Sequence, residues 1–237
     1  MYKKIALFGG SGKLGRELNK SYEFLAPSEK EVDVTNYDKI YNYLEKTEPE
    51  ILIHAAALVG AKECEENKEK AYNVNVNGTY NVARACAELK IKLVYISTDT
   101  IFDGKKGDYK EEDMPNPINF YSLTKLIGES YVKMVENSLI IRTSFFDKNN
   151  FPYKKVFIDQ YTCRMPLDEL VKDIMLTIKI NLKGVVHIAG KRDTLYNIIK
   201  KYNPKIEKTT RKESGLNLPE DLSLNTDKWN KIKGEFK

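Results

Sequence analysis

The chain has 237 residues, of which 41% are hydrophobic and 31% charged, so it is long enough for one large domain or for one domain with a small appendage. Its net charge of +5 comes from scattered lysines without a basic stripe that carries aromatic residues, so nucleic-acid binding is not expected, whereas a phosphate-bearing ligand suits the mild positive balance. The longest apolar run is too short to cross a bilayer, and three cysteines without paired spacing, in a chain with no targeting pattern at its start, predict a cytoplasmic protein with free thiols.

Strands and helices alternate through the first part of the chain. Continuous apolar, β-branched runs predict buried strands, and apolar residues at helical spacing predict helices. The predicted elements are, in chain order, a strand at 3–8, a helix at 16–20, a weak strand at 23–25, a helix at 37–46, a strand at 51–55, a helix at 70–89, a strand at 92–96, a helix at 120–135 and a strand at 139–142. This order predicts an α/β fold with right-handed βαβ units and a Rossmann-type, doubly wound parallel sheet.

The pattern changes after residue 144. A strand at 154–158, a helix at 166–178 and a strand at 185–188 are predicted there, and the last forty or so residues are polar and rich in lysine. The two histidines, His54 and His187, lie far apart in apolar runs, so we predict no metal site and interpret His187 as a satisfied core histidine.

Glycines stand directly after the first strand and at the start of the first helix. The first permits a tight turn, the second lets a pyrophosphate approach the backbone, and the third allows the helix to pack closely on the strand. Free N–H groups at the start of the helix, with the helix dipole behind them, stabilise phosphate charge. The alternative is a flexible glycine turn, but the βαβ context favours a dinucleotide-binding loop. Its binding residues are Gly9, Ser11, Gly12, Lys13, Leu14 and Gly15.

The residues after the weak second strand favour NADP(H) over NAD(H). In many such folds an acidic residue near the end of this strand binds the adenosine ribose hydroxyls. Here no acid closes the strand, and Ser28 and Lys30 are suited to a 2′-phosphate. NADP(H) is therefore the predicted cofactor, with NAD(H) as the alternative.

A tyrosine and a lysine lie four residues apart in the helix predicted at 120–135. Tyr121 and Lys125 therefore project from one face, an arrangement that suits proton transfer to a carbonyl oxygen. A lysine ammonium beside the phenol is expected to lower the tyrosine pKa from about 10. Thr98 ends the fourth strand, at the sheet edge where ligands bind, and its hydroxyl can bond the same oxygen. Such a pair also occurs by chance, and its position downstream of the glycine loop gives it weight.

Several motifs occur together, in one order. They are the glycine loop at 9–15, Val-Asp-Val-Thr at 32–35, the Pro-Glu-Ile-Leu-Ile-His-Ala-Ala-Ala run at 49–57, Asn-Val-Asn-Gly-Thr at 75–79, Tyr-Ile-Ser-Thr-Asp at 95–99, Phe-Asp-Gly at 102–104 and the tyrosine–lysine segment at 121–129. Over about the first 145 residues the chain thus resembles the extended short-chain dehydrogenases/reductases, and most closely their dTDP-4-dehydrorhamnose reductase branch.

The resemblance implies a role for each matched residue. Tyr121 would be the general acid, Lys125 would hold the nicotinamide ribose, and Thr98 with Asp99 would bind the substrate. Asn75 would support a proton relay or would be satisfied by backbone and water. The residues implied to lie near the adenine or the cofactor backbone are Asp33, Val34, Ala55, Ala56 and Ala57.

The second part departs from the family. Only about fourteen residues separate Ser144 from Asp159, where the family inserts a helix, and Cys163-Arg164-Met165 replaces its Pro-Thr step. Arg164 is predicted to bind a substrate phosphate, the alternative being a surface ion pair. We expect a dinucleotide-binding domain over 1–145, to which 154–178 returns, and a small, shortened substrate-binding region over 146–237, interleaved with the first.

Three functions fit these residues. The first is an NAD(P)H-dependent reductase of a 4-keto nucleotide-activated deoxysugar, with the nucleotide sugar as its small-molecule partner and a homodimer as its plausible assembly. The second is a nucleotide-sugar epimerase or dehydratase that retains its dinucleotide. The third, suggested by the shortened substrate region, is a catalytically silent, dinucleotide-binding regulatory subunit.

Overall fold

Strands and helices make up most of the first 143 residues, and many of the later elements are short. The computed structural model describes residues 4–214 and 218–236. Its strands are β1 (Ile5–Phe8), β2 (Ile51–His54), β3 (Lys92–Thr98), β4 (Ser138–Thr143), β5 (Phe145–Phe146), β6 (Lys155–Phe157), β7 (Tyr161–Thr162), β8 (Met165–Pro166), β9 (Gly184–Ile188), β10 (Asp193–Thr194) and β11 (Glu207–Thr209). Its helices are α1 (Lys13–Ser21), α2 (Tyr37–Thr47), α3 (Ala61–Glu66), α4 (Lys68–Tyr72), α5 (Gly78–Glu88), α6 (Phe120–Val132), α7 (Leu167–Lys179), α8 (Leu195–Lys200), α9 (Arg211–Ser214) and α10 (Asp227–Gly234).

Five parallel strands form the central sheet, in the spatial order β1-β2-β3-β4-β9. Their registers align the carboxyl ends, so that Thr98 lies beside Thr143, and Thr143 beside Ile188. The inner strands are buried on both faces, which is why the sequence shows continuous apolar runs there. The predicted Rossmann-type parallel sheet is confirmed.

Helices cover both faces of this sheet. On one face, Leu18 of α1, Ile174 of α7 and Trp229 of α10 belong to one apolar cluster with the strands. On the other face, Ile40 of α2 and Val82 of α5 belong to a second cluster. The sheet therefore separates two apolar layers, as a doubly wound fold requires. No helix in the described part of the chain is long and apolar enough to cross a membrane.

Two predicted elements differ from those observed. The weak strand at 23–25 is reduced to one bridge, in which Leu25 lies parallel to Ala6. Pro27 follows two residues later and has no N–H to continue a ladder. The helix predicted at 70–89 contains a π-helical stretch, Asn73–Asn77, between α4 and α5. Such stretches occur often at functional sites. This one lies at the first cavity described below.

The chain after residue 146 contributes both to the central sheet and to small two-stranded units. Strand β9 pairs with β4 in the sheet, and α7 packs beside α1. Strand β6 instead pairs with β11, and β7 pairs with β10. The two parts of the chain are therefore interwoven through β9 and α7.

Helix α10 holds the end of the chain against the sheet. Trp229 is 1% exposed and its Nε1 donates a 3.0 Å hydrogen bond to Asp173 Oδ2 on α7. Lys233, one turn later, pairs with the other oxygen of the same carboxylate. Helix α10 is thus held both by the buried ring of Trp229 and by polar contacts with Asp173.

Trp229→Ala is expected to lower the free energy of unfolding by about 3–5 kcal/mol, because it leaves a large cavity and removes a buried donor. Met114→Ala, at a side chain that is 86% exposed, should change it by less than about 0.5 kcal/mol. Chemical denaturation of both variants measures the difference. Equal stabilities would show that α10 is not part of the cooperative unit.

Candidate active site

Two adjoining cavities open at the carboxyl ends of the parallel strands. The first has a volume of about 240 Å³ and lies between the glycine loop and residues 27–34. The second, of about 420 Å³, lies between the glycine loop, the end of β3 and helix α6. Gly9, Gly12, Ala55 and Ala57 line both cavities, so the two lie side by side at the glycine loop.

The glycine loop brings three segments of backbone into contact. Gly9 has φ +91°, and a Cβ there would lie 2.5 Å from the backbone nitrogen of Ala56. A Cβ on Gly15 would lie 2.6 Å from Gly10 Cα and would collide with the carbonyl oxygen of Gly9. No side chain caps α1 at Gly12, so the first amides of the helix are free for a ligand. This cradle fits a pyrophosphate.

The charged residues that line the first cavity are not the ones that the sequence predicted there. Ser28 donates its hydroxyl to Glu31, 2.7 Å away, and neither Ser28 nor Lys30 lines the cavity. Glu29 and Lys70 do line it, with Asp33 and Val34 among the predicted residues. The signal for Lys70 was not in the sequence because α4 is brought here only by the tertiary fold.

Asp33 and Asn75 are both held by neighbouring backbone. Asp33 Oδ1 accepts from the amide of Thr35 at 2.9 Å. Asn75, in the π-helical stretch, accepts from the amide of Leu58 at 2.8 Å, donates to the carbonyl of Leu58 at 2.9 Å, and donates to Thr124 Oγ1 at 3.0 Å. Asn75 therefore clamps the loop after β2 to the helix that carries Tyr121.

Thr98, Tyr121 and Lys125 all line the second cavity. Helix α6 begins at an Asn119 cap, whose side chain accepts from the amide of Ser122, and this start places Tyr121 in the first turn. Lys125 follows one turn later and is only 3% exposed. The Thr98 hydroxyl donates to Asp99 Oδ1 at 3.1 Å.

The expected lowering of the tyrosine pKa is wrong. Burial raises the pKa of Tyr121 above its ordinary value, and the nearby charge of Asp99 raises it further, while a hydrogen bond from Thr98 lowers it in part. Burial also lowers the pKa of Lys125 to about 7, against the opposing influence of Glu129. The lysine has therefore lost its charge at the pH where the phenol would ionise, so Tyr121 stays protonated.

Arg164 lines the second cavity together with the catalytic candidates. It is half-buried, and no residue in the described part of the chain makes a hydrogen bond or an ion pair within 4 Å with its guanidinium. Burial raises the pKa of Asp99, and the charge of Arg164 lowers it in part. An anionic group of a ligand can therefore reach a guanidinium at this place.

A buried ion pair joins helix α6 to the central sheet. Arg142 on β4 and Glu129 on α6 are 2% and 0% exposed, and Arg142 Nη2 lies 2.8 Å from Glu129 Oε2. Ser97 donates to the other oxygen of Glu129 at 2.6 Å. His187 joins this cluster: its Nε2 accepts from Arg142 Nη1 at 3.4 Å, and its Nδ1 donates to the backbone carbonyl of Asn225 at 3.2 Å, which agrees with its interpretation as a satisfied core histidine. Sequence analysis does not identify this pair, because buried partners far apart along the chain cannot be matched without the fold.

The described residues include no group of histidine, cysteine and acidic side chains that could hold a metal ion.

Comparison with known proteins identifies a matching family and several similar proteins. A family model described as the RmlD substrate binding domain matches residues 3–192. The chain is 35% identical over 150 residues to the dTDP-4-dehydrorhamnose reductase of Aggregatibacter actinomycetemcomitans, which covers 60% of this chain and 51% of that protein. It is 27% identical over 228 residues to methionine adenosyltransferase 2 subunit beta of Bos taurus, which covers 79% and 67%. The chain thus spans about half the length of the reductase.

Solved structures share the fold over nearly the whole chain. The dTDP-4-dehydrorhamnose reductase of Bacillus anthracis, in complex with NADP, has a TM-score of 0.88 at 25% identity, covering 98% of this chain and 93% of that one. A hypothetical dTDP-4-dehydrorhamnose reductase of Sulfolobus tokodaii has a TM-score of 0.83 at 30% identity, covering 97% and 94%.

Gly15→Ala is expected to weaken dinucleotide binding by at least about tenfold, because the added methyl group collides with the backbone that forms the cradle. Gly234→Ala, where a Cβ meets nothing within 4 Å, is the matched control and should bind as the unaltered chain does. Calorimetric titration with NADPH and NADH measures both. Unchanged affinity in Gly15→Ala would contradict the placement of the pyrophosphate.

Proposed function

The chain belongs to the RmlD substrate binding domain family, and from that membership we propose that it is a nicotinamide-dinucleotide-dependent reductase of a 4-keto, nucleotide-activated deoxysugar. The membership confirms the resemblance that the motifs predicted. One observation carries the proposal: Thr98, Tyr121, Lys125 and Arg164 line a single cavity that adjoins the other cavity at the glycine loop.

The side chains divide the work of carbonyl reduction. When bound, the reduced dinucleotide supplies the hydride that the carbonyl carbon accepts. Tyr121, kept protonated by burial, donates its proton to the carbonyl oxygen. Thr98 turns its hydroxyl from Asp99 towards the same oxygen and orients it. Lys125 hydrogen-bonds the ribose beside the nicotinamide and so places the ring against the carbonyl.

Arg164 is proposed to bind the anionic part of the substrate. Its guanidinium is half-buried in the catalytic cavity, where a bidentate contact with a phosphate gains strength from partial desolvation. Asp99, buried next to Thr98, would accept from a sugar hydroxyl. These two residues give the cavity one positive and one accepting side chain for a sugar nucleotide.

NADP(H) is proposed as the preferred cofactor, with NAD(H) as the alternative. The support is the likeness to a reductase with NADP bound, together with Lys70 at the first cavity, where an ammonium can face a 2′-phosphate. Glu29 in the same cavity acts in the opposite direction, because a carboxylate repels a phosphate and accepts hydrogen bonds from a ribose diol.

A second candidate function is that of a subunit which binds a dinucleotide and acts through a partner protein. The observation that favours it is the similarity to methionine adenosyltransferase 2 subunit beta, which extends over 79% of this chain. The presence of both Tyr121 and Lys125 in the catalytic cavity favours the reductase.

Tyr121→Phe is expected to lower kcat by roughly 10²–10⁴-fold, because it removes the proton donor and keeps the ring. Its affinity for NADPH should match that of the unaltered chain. Tyr153→Phe, at a side chain that is 61% exposed, serves as the control for loss of a tyrosine hydroxyl. The assay follows NADPH absorbance with a panel of 4-keto nucleotide sugars, and undiminished turnover in Tyr121→Phe would remove Tyr121 from its role.

Glu29→Gln is expected to shift the ratio of NADPH to NADH affinity towards NADPH by roughly fivefold, since it removes the repulsion of the 2′-phosphate and weakens the contact with a free ribose diol. Glu31→Gln, two residues further along the chain and engaged with Ser28, is the matched control. Calorimetric titration of each variant with both dinucleotides gives the ratio. An unchanged ratio in Glu29→Gln would place the ribose away from Glu29.

A further inference from the structure

The ammonium of Lys125 is surrounded by protein in an unusual way. Lys125 is 3% exposed, yet among the described residues its Nζ makes no hydrogen bond and no ion pair within 4 Å. Instead Nζ lies 4.0 Å from the centroid of the Tyr95 ring. A cation over an aromatic face within about 6 Å is attracted by the negative face of the ring, and most strongly where water is excluded.

The Tyr95 ring is fixed in this place by its neighbours. Tyr95 lies in the middle of β3 and is fully buried, so its ring cannot leave the helix–sheet interface. Gly128 of α6 faces its hydroxyl, and a Cβ at that position would lie 2.5 Å from the hydroxyl oxygen. Because Gly128 has no side chain, there is space for the Tyr95 ring next to Lys125.

Other charged groups near Lys125 contribute less directly. Glu129 on the same helix raises the pKa of Lys125, but its carboxylate is already bonded to Arg142 and Ser97. His54 on β2 is kept neutral, because burial and the charge of Lys125 lower its pKa to about 3. Tyr121, on the cavity side, stays a phenol. The ring face is thus the group in direct contact with the ammonium.

We propose that Tyr95 is a positioning residue whose ring face, and not its hydroxyl, holds the charged ammonium of Lys125 at the cavity where the ribose of the cofactor binds. This inference rests on the proposed function, because it concerns the same lysine. It adds a residue of the sheet interior to the machinery, acting through Lys125 without touching the ligand.

Dinucleotide binding tests the proposal without turnover. Calorimetric titration with NADPH is made for the unaltered chain, Tyr95→Phe, Tyr95→Leu and Tyr95→3,4,5-trifluorophenylalanine. Fluorine withdraws electron density from the ring face and leaves the shape almost unchanged, so the last variant weakens the attraction without a cavity. We expect Tyr95→Phe to bind as the unaltered chain does, and the trifluoro and leucine variants to bind about tenfold more weakly.

The pH dependence gives a second readout. Loss of the ring face destabilises the charged amine, so Lys125 should lose its proton at lower pH. The pH at which NADPH affinity declines should then fall by about one unit in the leucine and trifluoro variants, which corresponds to the tenfold change. It should not move in Tyr95→Phe. A purely structural role of Tyr95 would lower affinity at every pH without moving this midpoint.

A double-mutant cycle separates the ring from general packing. In a Lys125→Met background, Tyr95→Leu and the trifluoro variant should cause no further loss of affinity. The same loss with and without Lys125, or an equal loss in Tyr95→Phe, overturns the proposal. Should the leucine variant fail to fold, the trifluoro variant decides alone. An unaltered chain that binds neither NADPH nor NADH contradicts the proposed function itself, a result distinct from these.

Discussion

The buried pair of Glu129 and Arg142 is the interaction on which the catalytic geometry depends. Two charges taken from water are costly unless each is well paired and its remaining hydrogen-bond capacity is used. Here Arg142 makes two hydrogen bonds to Glu129, Ser97 donates to the same carboxylate, and the backbone carbonyl of Glu111 takes a further N–H of the guanidinium. The pair therefore fixes α6, which carries Tyr121, to the two central strands in one register.

The fold was predictable from the sequence where buried strands require continuous runs of apolar residues. Strands β2, β3 and β4 are buried on both faces, so their apolar runs mark them without knowledge of their neighbours. The weak strand predicted at 23–25 lies at the edge of the sheet, beside β1. Only Leu25 forms a bridge there, and the sequence of the segment shows little alternation of apolar and polar residues. The π-helical stretch was also not predictable, because its apolar spacing is nearly that of an α-helix, and the hydrogen bond between Asn75 within it and the Leu58 amide joins residues that only the fold brings together.

The residues of the active site could be named from their positions, but their electrostatics could not. Tyr121 and Lys125 follow from helical spacing and from their place after the glycine loop. The direction of the tyrosine pKa depends on burial, which a sequence does not state, and burial here outweighs the neighbouring ammonium. The contact between Tyr95 and Lys125 was missed for a related reason: the tyrosine reads as one more apolar residue of a buried strand.

Proton transfer and substrate binding are proposed for residues from different parts of the chain, and Arg164 lies where these parts meet. The residues proposed to transfer the proton all come from β3 and α6, within the part that matches the family motifs. Arg164 comes from the part of the chain after β4, and its backbone is held on both sides: the amide of Met165 donates to Ser144 at 3.0 Å, and the amide of Gly190 donates to Cys163 at 2.7 Å. The first bond ties Arg164 to the segment after β4, and the second to the segment after β9. Under the proposed function, substrate recognition would vary through this junction, while the ion pair between Arg142 and Glu129 keeps α6 and its side chains in place.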